Sequence, residues 1–83
     1  MFSYTISNKA DNNYFKKICQ IIENELEVTK HRLLIDVDGS LIQKYCYKNK
    51  SIKVYNDYEI YAVYIESEID LSVLLNSENI DYN

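Results

Sequence analysis

The sequence predicts an α+β domain: an antiparallel β-sheet in the order β-α-β-β-β-β-α, with one long helix packed on one face. Three observations predict it. Phe2-Ser3-Tyr4-Thr5-Ile6-Ser7 alternates apolar and polar side chains, the two-residue period of a half-buried strand. Phe15, Ile18, Cys19, Ile22 and Leu26 then recur at helical spacing and share one face. From Arg32 onward the two-residue alternation returns, broken only by short turn signals. A parallel sheet needs a dozen or more residues for each crossover, and these connections are too short for that.

Each element follows from its local chemistry. Asn8 to Asn13 is a turn rich in capping residues, and Asp11 is the best N-cap. The helix runs from there to about Glu27, with Tyr14 and Ile21 widening its apolar stripe. Arg32 to Asp38 is a strand that places Leu33, Ile35 and Val37 on one face. Asp38-Gly39 is the strongest hairpin signal. It pairs Val37 with Ser40 and Ile35 with Ile42, so that Ile42 and Cys46 join the helix-covered face. Leu34, Asp36, Leu41, Gln43, Tyr45 and Tyr47 fall on the other face. A three-residue loop at Asn49-Lys50-Ser51 keeps Ile52 and Val54 on the covered face as well, whereas a two-residue loop would turn Lys53 inward. Asn56-Asp57-Tyr58 turns the chain into a last strand, Glu59 to Glu66, apolar on both sides. Ser67 or Asp70 caps a short helix from Asp70 to Asn76, with Leu71, Leu74 and Leu75 facing inward. Eighty-three residues make one domain, 1–83, with 77–83 read as a tail.

Composition narrows the function classes. The absence of proline and the single glycine argue against disorder. Met1-Phe2-Ser3-Tyr4 begins no basic and apolar leader, and no apolar run is long enough to span a bilayer, so a cytoplasmic location is expected, with no membrane partner. Cys19 and Cys46 are expected to be free thiols. Cys19, His31, Asp36 and Cys46 lack zinc spacing, and His31 has no nucleophile and acid around it to form a triad, so no metal, cofactor or catalytic residue is expected.

Charge is the informative property. The chain has thirteen acidic and nine basic residues. Seven of the acids (Asp57, Glu59, Glu66, Glu68, Asp70, Glu78 and Asp81) follow Lys53, the last basic residue. The first 53 positions thus carry about +3 and the remainder about −7. Tyr55, Tyr58, Tyr61, Tyr64 and Tyr82 are woven through the acidic third. Carboxylates accept hydrogen bonds from Arg and Lys, and tyrosine is enriched at interfaces. The expected partner-binding residues are Asp57, Tyr58, Glu59, Tyr61, Glu66, Glu68 and Asp70.

Three resemblances bear on this. Leu33-Leu34-Ile35-Asp36-Val37-Asp38-Gly39-Ser40-Leu41 resembles the first motif of haloacid-dehalogenase-like phosphatases. It implies Asp36 as nucleophile and Asp38 as general acid/base around magnesium, but hairpins rather than crossovers follow it. The α-β-β-β-α portion is similar in order to double-stranded-RNA-binding domains. Lys44, Lys48, Lys50 and Lys53 would meet phosphate, and Tyr45, Tyr47, Tyr55 and Tyr61 would stack bases. The net negative charge opposes that reading.

In size, charge and α+β make-up the chain resembles small acidic bacterial immunity proteins of the nuclease-toxin and contact-dependent growth inhibition type. That resemblance implies a non-enzymatic inhibitor, an antitoxin whose basic partner is a nuclease toxin. A phage-type anti-restriction or anti-CRISPR inhibitor shares the same character. A nucleic-acid-binding module is the first alternative. A homodimer burying Tyr61, Val63 and Ile65 between copies is the second.

Overall fold

The computed structural model describes Met1–Asn83. Its elements are β1 (Phe2–Ser7), α1 (Asn12–Glu25), β2 (Thr29–Lys30), β3 (Leu34–Ile35), β4 (Leu41–Tyr47), β5 (Lys50–Asp57), β6 (Ala62–Ser67) and α2 (Ser72–Ser77). Every strand pair is antiparallel. The sheet order is β1-β6-β5-β4-β2, with β3 beside β2 on the same edge of β4. The α+β class expected from the periodicity is the one observed. The far edge, expected as one strand over Arg32 to Asp38, is instead two short ones.

Helix α1 begins where its capping chemistry places it. Asp11 Oδ1 accepts from the N–H groups of Asn13 and Tyr14, two of the donors a helix start leaves without partners. Asn56 of β5, fully buried, clamps this start to the sheet. Its Oδ1 accepts from Asp11 N–H at 2.9 Å and its Nδ2 donates to Asn12 Oδ1 at 2.6 Å. Phe15, Ile18, Cys19, Ile21 and Ile22 are buried against the sheet. Burial pushes the Cys19 thiol up, which suppresses the reactive thiolate.

The sheet face beneath α1 is the opposite face of β4 from the one expected. Tyr45 is 1% exposed and Gln43 is buried with it, whereas Ile42 and Cys46 lie half-buried on the open face. The β4–β5 turn decides this. It has two residues, Lys48 and Asn49, both left-handed at φ 49° and 65°. Tyr47 therefore pairs with Lys50, Tyr45 with Ile52 and Gln43 with Val54. Residues opposite one another share a face, so Ile52 and Val54 carry Tyr45 and Gln43 inward with them. Lys53 stays outward with this two-residue turn, because the parity of β4 is the reverse of the expected one.

Both inward polar side chains have partners. Tyr45 O–H donates to Glu23 Oε2 at 2.6 Å, and Gln43 Nε2 donates to the His31 carbonyl at 2.6 Å. That carbonyl lies where the register slips by one residue between β2 and β3. The Asp38-Gly39 hairpin is likewise shifted by one. Ile35 pairs with Leu41, not Ile42, and Val37 lies in the loop, fully exposed.

The last strand is shorter than expected. Tyr58 to Tyr61 is a turn, and β6 starts at Ala62. Val63 and Ile65 are 0% exposed within the single chain, so they are core residues and not a seam between copies. α2 covers the same face as α1, so the helical layer is not one long helix alone. Leu71, Leu75 and Ile80 join the core beside Tyr4 and Ile6. Tyr4 Oη accepts from Leu71 N–H at 2.8 Å. The segment read as a tail is docked: Ile80 is buried, and Asn83 exchanges two backbone hydrogen bonds with Thr5.

Candidate interaction surface

The seven acidic and aromatic residues singled out in the sequence do not converge. Asp57, Tyr58, Glu59 and Tyr61 form the β5–β6 turn. Glu66, Glu68 and Asp70 lie at the opposite end of β6, about 13 Å or more away at ~3.3 Å per residue.

The second group is engaged in holding the fold. Glu68 Oε1 accepts from Ser51 N–H at 2.7 Å, and this bond lowers its pKa. Asp70 Oδ1 accepts from Ser72 N–H at 2.8 Å and from Tyr4 O–H at 3.0 Å. The Ser72 bond is the larger cause of its lowered pKa. Glu66 accepts from Tyr55 O–H at 2.9 Å on the open face of the sheet.

The turn presents its groups outward. Asp57 Oδ1 accepts from the N–H groups of Glu59 and Ile60, and its Oδ2 accepts from Tyr64 O–H. That carboxylate builds the turn. Glu59 makes no side-chain hydrogen bond or ion pair, since the molecule's one ion pair joins Lys30 to Glu23. Ile60 is 63% exposed and Tyr61 52%. Tyr61 is held left-handed at φ 56°, a conformation that costs a residue with a Cβ roughly 1–2 kcal/mol.

The hairpin loop between β3 and β4 joins this end of the sheet, which the sequence reading did not foresee. Ser40 Oγ accepts from Tyr58 N–H at 2.8 Å, and the Tyr58 ring lies 3.8 Å from where a Cβ on Gly39 would stand. Gly39 has φ 88°, so a side chain there is strained as well. The two loops together line a shallow cleft of about 100 Å³ with Asp36, Asp38, Asp57 and Glu59 among its walls. Ser40 N–H, donating to Asp38, is the main reason the Asp38 carboxyl sits below its ordinary pKa. Only sequence-distant pairing brings Asp38 and Glu59 together. The available signal was that Asp38-Gly39 and Asp57-Tyr58 are turns at the same end of neighbouring hairpins.

No family model, curated protein or solved structure matches this chain. The geometry of the surface therefore stands on its own.

It bears on two of the resemblances. Asp36 and Asp38 lie at the end of a two-residue edge strand in an antiparallel hairpin, where the phosphatase motif requires a parallel strand with a crossover. The four tyrosines expected to stack bases do not share a face. Tyr45 is in the core, Tyr47 is on the covered side, Tyr61 is in the turn, and only Tyr55 is on the open face. Tyr55 is occupied instead by Tyr64, its partner across β5 and β6, with ring centres 4.4 Å apart and planes at 11°. Their hydroxyls donate to Glu66 and Asp57, so the stack is flanked by carboxylates that repel phosphate. No helix is long and apolar enough to cross a membrane.

Proposed function

We propose that this protein is a non-enzymatic binding protein, an inhibitor of the immunity type, that docks the turn end of its sheet on a basic protein, in the leading case a nuclease toxin. The observation that carries the reading is the convergence of two loops at one end of the sheet. There, four carboxylates (Asp36, Asp38, Asp57 and Glu59) line one cleft, and the adjoining turn exposes Tyr58, Ile60 and Tyr61. An apolar and aromatic centre with a charged rim is the usual anatomy of a protein interface. Carboxylates of one sign speed encounter with a cationic surface. Binding of nucleic acid is disfavoured by the same charges. Of the seven interface residues expected from the sequence, this reading keeps Asp57, Tyr58, Glu59 and Tyr61 and adds Asp36, Asp38 and Ile60. Glu66, Glu68 and Asp70 serve the far end of β6.

The test is capture of the product of the neighbouring reading frame, coexpressed with this chain, followed by association kinetics at low and high salt. The expected result is a complex that silences a nuclease and whose on-rate falls steeply with salt. Glu59→Lys should slow association about tenfold or more, and Tyr61→Ala should act mainly on dissociation. Glu68→Lys, at the other end, should leave the on-rate nearly unchanged. Kinetics unmoved by Glu59→Lys and by salt would sink the assignment of this surface.

A further inference from the structure

We propose that this protein pairs with a second copy of itself through β3, edge to edge and antiparallel about a two-fold axis. The sheet has two edges, and the chain treats them differently. Along β1, the N–H and C=O of Thr5 are taken by Asn83. Along β2 and β3 no segment of the chain lies outside the strands, and residues 29–39 are all exposed. Three large apolar side chains stand on this edge, Leu33, Leu34 and Ile35 at 69% exposure, and Val37 in the adjoining loop is fully exposed. An uncovered apolar edge is a template for another strand, and folded proteins ordinarily blunt one with charge, proline or a covering segment.

The order of residues along the edge selects a second copy over an unrelated strand. Arg32-Leu33-Leu34-Ile35-Asp36 reads cation, three apolar residues, anion. An antiparallel copy centred on Leu34 sets Leu33 opposite Ile35 and Arg32 opposite Asp36, twice over by symmetry. Lys30 before this stretch and Asp38 after it extend the same polarity. The peptide groups agree with that centre. Asp36 N–H donates to the Ser40 carbonyl, so along an alternating ladder Leu34 also faces β4. Leu33 and Ile35 then aim their N–H and C=O groups away from the sheet. These are the residues that meet across the proposed axis, where they would exchange four hydrogen bonds. Leu34 would meet Leu34 of the second copy in a non-hydrogen-bonded pair, the closer kind, on the open face beside Ile42. The register slip between β2 and β3 keeps the seam short, so the contact falls at the small end of specific interfaces and its affinity in the micromolar range. This pairing rests on residues 30–38, of which Asp36 and Asp38 also line the cleft proposed for the cationic partner, and it is tested on the chain alone, without that partner.

Sedimentation equilibrium of the full chain, from about 5 µM to about 1 mM at low salt, reads it directly, because a weak dimer is populated by mass action. The expected result is a mass that rises from the 9.9 kDa monomer toward the dimer with concentration. Leu34→Lys sets two ammonium groups at the axis and should leave only monomer. Arg32→Asp sets like charges against Asp36 and should weaken association about tenfold, and adding Asp36→Arg should restore it. Val73→Lys, an exposed apolar site on α2, should change nothing. A wild-type chain that stays monomeric throughout overturns the proposal. So does a dimer that survives Leu34→Lys, or a charge-swapped double variant with native circular dichroism that fails to recover.

Discussion

The sharpest test of the fold compares Tyr45→Ala with Ile42→Ala on the same strand. Tyr45 is 1% exposed, packed beneath α1 and bonded through its hydroxyl to Glu23. Truncating an aromatic ring in such a site costs roughly 3–5 kcal/mol, from lost transfer energy and the cavity left behind. The hydroxyl alone accounts for the smaller part. In Tyr45→Phe, Glu23 keeps Lys30 at 3.3 Å and access to water, so about 1–2 kcal/mol is expected. Ile42 lies half-buried on the open face, so its truncation forfeits about 1 kcal/mol. A domain of this length is stable by roughly 4–12 kcal/mol, so Tyr45→Ala removes a large share of the total. Urea unfolding followed by circular dichroism reads the difference. With a slope of about 1 kcal/mol per molar, the midpoint should fall by about 3 M or more for Tyr45→Ala and about 1 M for Ile42→Ala. Equal losses would refute the two-residue β4–β5 turn and the parity that it imposes on the sheet.

Four further outcomes are expected. Burial, then the hydrogen bond to Glu66, pushes Tyr55 up to about 12; Tyr64 is pushed up to about 12 by burial and then by Asp57. The fold favours both phenols neutral, so the stability they lend is full below the ordinary value of 10.0 and is lost as pH rises toward about 12. Tyrosinate absorbance should show these two groups titrating late, with buried Tyr45 later still, and Glu66→Gln should move Tyr55 part of the way back. Asp70 works in the other direction: its lowered pKa lends stability above 3.8 that is lost as pH falls through the folded value, so Asp70→Asn should flatten the acid limb of the pH–stability curve. Ile80→Ala should cost roughly 2–4 kcal/mol in urea unfolding, since its side chain is buried; a loss below about 0.5 kcal/mol would show that the end of the chain is not docked. Asp11→Ala should cost about 1 kcal/mol, because two N–H groups of α1 lose their acceptor.

The candidate surface was half legible in the sequence. Tyr58, Glu59 and Tyr61 stood out because acids and tyrosines concentrate after Lys53, and they are exposed at one turn. Glu68 and Asp70 belong to the same acidic run but cap backbone N–H groups elsewhere. A run of charge along the chain becomes one surface only if the chain stays in one place, and β6 carries it across the sheet. Asp38 was read as part of a turn, which it is; that the turn stands beside Glu59 follows only from the pairing of β4 with β5.

By itself the sequence determined the class, the helix and the antiparallel connections. These are short-range matters: the period of apolar side chains, a carboxylate at a helix start, and loops too short to cross over. The tertiary structure decided which face of β4 is buried, where the C-terminal segment lies and which carboxylates are neighbours. Alternation specifies that a strand has two faces and leaves open which of them turns inward. On β4 both faces are mixed, with Ile42 and Cys46 on one and Tyr45 on the other. The choice falls to the left-handed pair Lys48 and Asn49, to the demand of Ile52 and Val54 for a dry neighbour, and to a hydrogen bond that Glu23, on a helix packed across the sheet, accepts from Tyr45.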